Sequence, residues 1–366
     1  MRVAVLHDYL NQFGGAERVL KVILELFPDA DLYTLLYDEK KTFGLFKKNI
    51  KKTSFLDREW VRRHHRMFIP AMPLASRMLT SSERYDLIIS STAGYAKGFR
   101  IEAPYHVSYC HSPLRYAWEI DYLKNLPFSP HAMSKDILRP VAEWLRRWDK
   151  RASGRVNLFI ANSHFIAEKI GAYYGREAEV VYPPVSLNTF YHEPETPEDG
   201  YHLMVGRMLY YKGFDLGIRA FNRMKKPLIV IGRGPEEKKL HSLADPRYIT
   251  FISSVSDEKL RHYYNGAKAL IFPQIEDFGL VAAEAQACGT PVLAFSKGGG
   301  GEIVENGETG LIFTEQSSDA IIQAVKEAEL VRFNRKKIAE HGARFSEASF
   351  KKLFLEAIKQ SGFSSH

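Results

Sequence analysis

Positions 269 to 292 of the chain read ALIFPQIEDFGLVAAEAQACGTPV and say more about the class of fold than any other part of the sequence. The apolar segment that Pro273 closes predicts a buried strand, and the alanine-rich segment that ends before Gly289 predicts a helix. A polar loop with Glu276 and Gly279 joins them, and Glu284 lies inside the helix. Strand, polar loop and helix in this order are typical of α/β folds, which present ligand-binding groups at the carboxyl edge of a parallel sheet.

Glu276 and Glu284 are two carboxylates eight positions apart on either side of this turn. The spacing predicts Glu276 on the loop above a bound ligand. It predicts Glu284 about one helical turn further in, facing the same crevice. The alternative is that both glutamates lie on a solvated helix surface, and the pair alone does not decide between the two.

The same alternation of strands and helices fills the rest of the chain. The predicted strands are Val3–His7, Asp31–Tyr37, Leu87–Ser91, His106–His111 and Leu158–Asn162 in the first half, and His202–Val205, Leu228–Ile231, Ile249–Phe251, Ala269–Phe272, Val292–Phe295 and Leu311–Phe313 in the second. Alternation of this kind predicts parallel sheets covered by helices on both faces.

The length of 366 residues predicts two domains. Residues 183–200 contain four prolines and no helical period, so we predict a linker there. The expected domains are 1–182 and 201–345. A helix within 346–366 has apolar residues at helical spacing and needs a partner surface, which we expect the N-terminal domain to supply.

Composition narrows the class of protein. Hydrophobic residues make up 45% of the chain and charged residues 26%, which is ordinary for a globular protein. No apolar run approaches the roughly 20 residues of a membrane span, and the first six residues predict a strand rather than a signal peptide, so a cytoplasmic protein is expected. Cys110 and Cys288 are far apart in apolar surroundings, which favours two buried thiols over a disulfide or a metal site.

The net charge of +8 is concentrated near the N-terminus. Residues 41–66 hold nine lysines and arginines against Asp57 and Glu59, and the proline-broken apolar segment 67–75 follows. Basic residues beside exposed apolar ones suit an anionic membrane surface, so residues 41–75 are the predicted membrane contact. Nucleic acid is the rival partner for a basic patch. No nucleic-acid motif accompanies the patch, so that partner is not expected. A merely solvated basic face is the third interpretation.

Two glycine loops are candidate phosphate sites. Gly14 and Gly15 follow the first strand and begin a helix, where free N–H groups attract anions. Gly206 and the cations Arg207 and Lys212 take the corresponding place in the second half, and two cations there could hold a diphosphate. The first of these loops lacks the full G-x-G-x-x-G fingerprint of dinucleotide enzymes.

Two further features bear on chemistry. His111 follows a predicted strand and precedes a proline, where a histidine can donate to an oxyanion or position a hydroxyl. Asp29 and Asp31 form a D-x-D pattern, but they lie at the amino end of a predicted strand, away from the ligand edge, so we expect a turn there and no metal. No cluster with zinc spacing is present in the sequence.

Taken together, these motifs resemble the retaining glycosyltransferases of family 4, which have the two-domain GT-B fold. The resemblance spans nearly the whole chain: Gly14-Gly15 matches the amino-terminal glycine loop, Arg207 with Lys212 the phosphate-binding pair, residues 276–284 the E-x7-E signature, and residues 298–310 the turn that follows it. It implies two Rossmann-like, doubly wound domains that face a central cleft.

The resemblance also implies roles for individual residues. Arg207 and Lys212 would bind the donor diphosphate, Glu276 the transferred sugar and Glu284 the ribose, with His111 near the sugar. The implied donor-binding residues are Gly14, Gly15, Gly206, Gly232, Ser254, Val255, Phe278, Gly279, Leu280 and Glu284. Such enzymes need no metal cofactor, and the sugar nucleotide is a co-substrate.

The block from Cys110 to Glu119 and the residues around Gly14 resemble the mannosyltransferase branch that builds cell-surface polysaccharides. The implied donor is GDP-mannose, with a UDP-sugar as the alternative, and the implied acceptor is a lipid-linked saccharide at the inner face of the cell membrane. Two other classes stay open: a nicotinamide-dependent oxidoreductase, which would need the missing glycine fingerprint, and a non-catalytic basic binding protein.

Overall fold

The computed structural model describes residues 1–124 and 135–363. The chain forms two compact units, Met1–Tyr182 with Phe350–His366 and Pro183–Ser349, which are called the first and the second unit below. Residues 183–200, predicted as a linker, belong to the second unit.

The first unit contains a parallel sheet of seven strands in the order β3-β2-β1-β4-β5-β6-β7. The strands are β1 (Val3–Leu10), β2 (Asp31–Tyr37), β3 (Ile50–Thr53), β4 (Leu87–Thr92), β5 (Tyr105–Cys110), β6 (Leu158–Ala161) and β7 (Glu179–Val180). The direction of chain progression reverses between β1 and β4, and such switch points are where open α/β sheets bind ligands.

Helices cover both faces of this sheet. They are α1 (Gly15–Leu26), α2 (Glu59–Arg63), α3 (Met72–Met78), α4 (Arg115–Trp118), α5 (Ile120–Lys124), α6 (Lys135–Ser153) and α7 (His164–Tyr174), with 3-10 turns at His65–Ala71 and Ala96–Gly98. Along β1, Ala4 and Leu6 face one buried cluster and Val3 and Val5 the other. The near-continuous apolar sequence of β1 follows from burial on both sides, and the predicted doubly covered parallel sheet is confirmed.

The last helix of the chain packs on the first unit. Phe350 and Phe354 lie in the same buried cluster as Val5 of β1 and Leu20 of α1. Their rings lie 5.5 and 6.1 Å from that of Tyr109. The apolar stripe predicted for this helix therefore faces the sheet, through Phe350, Phe354, Ala357 and Ile358.

The second unit contains a parallel sheet of six strands in the order β10-β9-β8-β11-β12-β13, with its switch point between β8 and β11. The strands are β8 (His202–Val205), β9 (Leu228–Ile231), β10 (Ile249–Ile252), β11 (Leu270–Phe272), β12 (Val292–Phe295) and β13 (Gly310–Phe313). The helices are α8 (Phe214–Met224), α9 (Glu237–Leu243), α10 (Asp257–Gly266), α11 (Leu280–Ala287), α12 (Gly300–Ile303), α13 (Ser318–Ala328), α14 (Arg335–Gly342) and α15 (Glu347–Gln360), which continues into the first unit, with 3-10 turns at Tyr210–Lys212 and Ala343–Phe345.

The sequence did not predict the two short edge strands of the first unit. The edge strands β3 and β7 carry too few apolar residues to show a period, since β3 reads IKKT and β7 has two residues. The segment 67–75 is only partly exposed, with Met67 and Leu74 at 42% and 55% exposure. Ile69, Met72 and Ala75 are buried in the first unit, and α3 carries two of them into the core.

Candidate functional site

The loops after β8 and β11 meet at the switch point of the second unit. Lys212, in the loop after β8, forms an ion pair with Glu276, in the loop after β11, and their side chains are 12% and 18% exposed. Gly213, which has a φ of +65°, lets the loop pass against Pro273. Two residues singled out from the sequence are therefore joined directly. The pair leaves two of the three ammonium protons for another acceptor.

The loops after β8 and β9 run backbone against backbone. A Cβ on Gly232, whose φ is +146°, would lie 1.9 Å from the carbonyl oxygen of Gly206. Next to it, the Met208 N–H donates to the Arg233 carbonyl at 2.8 Å. Only glycine permits this approach, so Gly206 and Gly232 build one continuous rim at the carboxyl edge of the sheet.

The glycine run after β12 supports the loop that carries Glu276. The Gly299 N–H donates to the Glu276 carbonyl at 2.8 Å, and a Cβ on Gly299 would lie 2.4 Å from the Cα of Phe278. Residues 298–301 thus hold the backbone of the loop after β11 from behind. The four-glycine turn read from the sequence has a local structural reason here.

Helix α11 begins at this loop, with Gly279 at its N-cap in the left-handed region, at a φ of +106°. Its first N–H groups, beginning with that of Leu280, form the positive end of the helix dipole. Glu284 lies one turn in, is 6% exposed, and accepts a hydrogen bond from the Tyr264 hydroxyl at 3.2 Å. Burial, and then Glu284, raise the pKa of Cys288 well above its usual range. Glu284 is a buried carboxylate rather than a surface residue.

The remaining predicted residues of the second unit line the same edge with fewer contacts. Arg207 follows Gly206 and is exposed, and within the described part of the chain its guanidinium has no ion-pair partner. Ser254 and Val255 follow β10 and are exposed and half-buried. Phe278 is buried, with its ring 5.4 Å from that of Phe345. All of them lie at carboxyl ends of strands or in the loops that follow.

In the first unit, a buried carboxylate organises the switch point. Asp8, at 6% exposure, accepts hydrogen bonds from the Thr92 hydroxyl at 3.0 Å and from three backbone N–H groups, those of Ala93, Tyr95 and Ala96, at 2.6, 2.9 and 2.5 Å. The backbone N–H of His111 in turn donates to the Thr92 carbonyl at 2.8 Å. Asp8 therefore fixes the turn after β4, whose Thr92 carbonyl holds the backbone of His111. In the sequence, Asp8 could have been recognised as a charged residue inside an apolar strand.

His111 itself is 9% exposed and its Nε2 lies 2.8 Å from the Ser91 hydroxyl. Burial, with a smaller effect of His7, lowers the pKa of His111 to about 3, so the ring is neutral at neutral pH. Gly14 and Gly15 lie at the start of α1, at the same carboxyl edge as His111, where Gly14 donates its N–H to the Glu17 carboxylate at 2.7 Å.

A second charge cluster escaped the sequence analysis. Lys97 and Asp149 form an ion pair of 2.6 Å with both side chains fully buried. Asp149 also accepts from the Trp118 indole at 2.8 Å and the Tyr174 hydroxyl at 2.7 Å. This cluster ties α6 to the turn after β4 and has no access to a ligand, so we assign it to stability. The D-x-D pattern is likewise structural: Asp31 binds the side chains of Arg2 and Tyr85.

No metal centre is evident in the described residues, since they contain no group of three or more His, Cys, Asp or Glu side chains arranged to hold an ion. None of the described helices combines the length and apolar character of a membrane span.

Comparison with known proteins finds a matching family model for each half of the chain. Residues 190–345 match the family model described as glycosyl transferases group 1, and residues 13–189 match the model described as glycosyltransferase family 4. A glycosyltransferase of unspecified activity from Methanocaldococcus jannaschii is 28% identical over 210 residues, 55% of this chain and 58% of that protein. A D-inositol 3-phosphate glycosyltransferase of Streptosporangium roseum is 33% identical over 187 residues, 42% of each chain. This chain therefore spans about half the length of these curated relatives.

Solved structures show the same architecture. The Anabaena protein HepE, crystallised with UDP, superimposes with a TM-score of 0.72 over 98% of this chain and all of its own, at 19% identity. At that identity the likeness concerns the fold, and it confirms the predicted GT-B arrangement of two parallel-sheet α/β domains. The two family models together span residues 13–345, each over less than half of the chain, and both describe glycosyltransferases.

Proposed function

We propose that this protein transfers a sugar from a sugar nucleotide and that the switch-point edge of the second unit binds the donor. The observation that carries the proposal is the Lys212–Glu276 ion pair, which joins the loops after β8 and β11 at the place where doubly wound sheets bind nucleotides. The matches to two glycosyltransferase family models support the same reaction class.

Each group has a role suited to its chemistry. Arg207, exposed and without an ion-pair partner in the described residues, and the free protons of Lys212 bind the diphosphate. Glu276 accepts from hydroxyls of the sugar, and the buried Glu284 from those of the ribose. The Gly206, Gly232 and Gly279 turns and the N–H groups around Phe278 and Leu280 line the phosphates, and Ser254 and Val255 lie near the base. For His111, Gly14 and Gly15 of the first unit, the proposed role in donor binding rests on the resemblance alone.

The proposed chemistry retains the anomeric configuration. The bond between the anomeric carbon and the diphosphate oxygen breaks, the acceptor oxygen attacks that carbon from the same face, and its proton passes to a phosphate oxygen of the leaving nucleotide. Positive charge grows on the sugar and negative charge on the diphosphate, so Arg207 and Lys212 lower the barrier by neutralising the leaving group. The two glutamates need no acid–base role in this scheme, and no metal is required.

Substitution of the cations tests these roles. Arg207→Ala or Lys212→Ala should lower turnover by roughly 10²–10³-fold, the usual cost of losing one preorganised charge-stabilising group. Lys239→Ala is the matched control, because that lysine is 62% exposed and pairs with its neighbour Glu236 in the same unit. Turnover close to wild type in the Arg207 and Lys212 variants would overturn the assignment.

GDP-mannose is the proposed donor, on the resemblance of the N-terminal motifs to mannosyltransferases, and a UDP-sugar is the alternative, which the UDP complex of the Anabaena protein favours. Thermal-shift measurements with GDP, UDP, NAD and an oligonucleotide separate the candidates, because a ligand that binds only the folded state raises its stability. We expect GDP to give the largest shift. A UDP-selective shift would move the assignment to the alternative, and an NAD or oligonucleotide shift would exclude glycosyl transfer as the main interpretation.

A lipid-linked saccharide is the proposed acceptor, and residues 41–75 the proposed contact with an anionic membrane on the cytoplasmic side. Phe43, Leu45, Phe55, Trp60, Met67 and Leu74 in this segment are 42–74% exposed. Several of its cations are held by neighbouring carboxylates, such as Arg62 by Asp57 and Arg63 by Glu59. Exposed aromatic residues therefore carry more of this proposal than net charge does.

Co-sedimentation with liposomes tests the membrane contact. The wild-type chain should bind vesicles that contain anionic lipid and bind neutral ones less. A variant with Phe43→Ser and Trp60→Ser should lose most of this binding. Leu330→Ser is the control, because that residue is 88% exposed but lies in the second unit. Equal binding by the double variant and the control would show that residues 41–75 are not the membrane contact.

A further inference from the structure

A cavity of about 280 Å³ lies at the amino edge of the sheet in the second unit. Three residues at the amino ends of neighbouring strands line it: His202 begins β8, Ala269 precedes β11 and Pro291 precedes β12. The proposed donor site lies at the other end of these strands. The four residues of β8 span about 13 Å at about 3.3 Å per residue, so the cavity and the donor site are separate places.

The walls of this cavity come from two connecting segments of the second unit. The segment 328–335, which joins α13 to α14, contributes most of the lining residues, and Glu198 comes from the segment that precedes β8. The remaining lining residue is Lys268, directly before Ala269. All of these residues belong to the second unit, so the cavity is complete within it.

Both carboxylates that line the cavity already have a cation. Glu198 pairs with Arg335 at 3.2 Å, and the Arg335 guanidinium also donates to two backbone carbonyls at the end of α10. Glu329 pairs with Lys226, which lies beside the cavity. These four charges therefore balance one another, and Arg335 is held in place by the backbone of α10.

The other two lining cations, Lys268 and Arg332, have no ion-pair partner in the part of the chain that the structure describes. Lys268 is half-buried and Arg332 is exposed. Two uncompensated positive charges at one cavity attract an anion, and charge-assisted hydrogen bonds to oxygen are the strong ones. Their summed charge matches the charge of about −2 that a phosphate monoester carries near neutral pH.

The rest of the lining suits a small organic group with hydroxyls. His202 is 2% exposed, and its Nδ1 makes no hydrogen bond within the described residues. Burial first, and then Lys268, lower the pKa of His202 to about 4, so the ring is neutral at neutral pH. A neutral imidazole has one N–H and one lone pair and can therefore bind a hydroxyl. The buried Pro291 and the half-buried Phe333 offer apolar surface for carbon atoms.

We propose that this cavity is a second binding site, which takes a small phosphate monoester with its phosphate on Lys268 and Arg332 and its hydroxylated carbon body between His202 and Phe333. Sites for drug-sized ligands measure about 300–1,000 Å³, so a cavity at the lower end of that range suits a small metabolite. The site goes beyond the proposed function, because its residues lie at the edge of the sheet opposite the donor site.

Calorimetric titration of the full chain with glycerol 3-phosphate tests this site, and glycerol is the uncharged comparison. We expect saturable binding of glycerol 3-phosphate and none of glycerol. Lys268→Gln and Arg332→Gln should each weaken the binding at least about tenfold, the usual loss for one hydrogen bond to a charged group. Lys239→Gln is the matched control, because that lysine is 62% exposed and does not line the cavity. The Lys212→Met variant, altered at the donor edge, should bind glycerol 3-phosphate as the wild type does.

Nitrogen–proton correlation spectra of the histidine-labelled chain show where the ligand binds. The signal of His202, assigned by its loss in His202→Gln, should move on addition of glycerol 3-phosphate to the wild type. An unmoved His202 signal at saturating ligand, equal affinity in Lys268→Gln and Arg332→Gln, or loss of binding in Lys212→Met would overturn the proposal. The wild-type spectrum does not depend on how well a variant folds. Turnover of a sugar nucleotide is measured separately, so failure here is distinguishable from failure of the proposed transfer reaction.

Discussion

Replacing Asp8 by asparagine should loosen the turn after β4, which contacts the backbone of His111 through the Thr92 carbonyl, and should destabilise the first unit. One carboxylate oxygen of Asp8 accepts the Thr92 hydroxyl and the N–H groups of Tyr95 and Ala96, and the other accepts the Ala93 N–H. An asparagine can keep the first three bonds with its carbonyl oxygen. Its NH₂ group then meets the Ala93 N–H, donor against donor.

The expected cost follows from these four bonds. An unpaired buried donor costs about 1–3 kcal/mol, and the Ala93 case belongs at the low end because that residue is exposed and water can reach it. The three remaining bonds lose their charge assistance, which is worth about 1 kcal/mol or less each and is offset in part by the relieved desolvation of the charge. We therefore expect Asp8→Asn to lower the free energy of unfolding by about 2–3 kcal/mol.

Urea unfolding followed by tryptophan fluorescence measures the free energy of unfolding of the first unit. All four tryptophans, Trp60, Trp118, Trp144 and Trp148, lie in the first unit, so the signal reports on that unit. Asp86→Asn is the matched control, because this exposed carboxylate accepts a single backbone N–H, that of Arg2 at 2.6 Å, and its loss should cost under about 1 kcal/mol. Equal losses in the two variants would refute the idea that Asp8 organises the turn.

Two further predictions concern buried charge. Lys97→Met leaves Asp149 fully buried without its cation and should cost about 3–5 kcal/mol in urea unfolding, with partial recovery when Asp149→Asn is added; no recovery would contradict an electrostatic origin. Burial first, and then Arg155, lower the pKa of His106 to about 3, so its stabilising effect is complete above pH 6.5 and is lost as the pH falls toward 3. Between pH 7.5 and 5, the free energy of unfolding should fall by about 2 kcal/mol less in His106→Asn than in the wild type. An identical fall in the two proteins would contradict this pKa.

Much of the fold could be predicted from sequence because the signals are local and repeated. Apolar strands such as β1 and β12 are buried on both faces, so they read as uninterrupted apolar runs with glycine turns after them. The ends shift by one to three residues, as in β1, which continues to Leu10 rather than stopping at His7. In β1 the apolar run is interrupted by His7 and Asp8, and these polar residues belong to the site.

The part of the site that could not be predicted depends on contacts between distant residues. Lys212 and Glu276 were each singled out, but their ion pair depends on β8 and β11 lying side by side, which no local pattern encodes. Ser91 carries no signal as a lone serine in a strand, and its place between His7 and His111 appears only when β1, β4 and β5 pair. Which apolar residues of 67–75 are exposed could not be predicted either, because hydrophobicity alone does not distinguish a surface residue such as Leu74 from a core residue such as Met72.

Calorimetric titration of the full chain with GDP-mannose and with a UDP-sugar measures donor binding itself, at the proposed site that contains the Lys212–Glu276 pair. We predict saturable binding by the wild type. Lys212→Met should weaken it at least about tenfold, the equivalent of one charge-assisted hydrogen bond, while Lys239→Met leaves it unchanged. Binding of neither sugar nucleotide by the wild type, or equal affinity in the Lys212→Met variant, would show that this edge of the second unit is not a donor site.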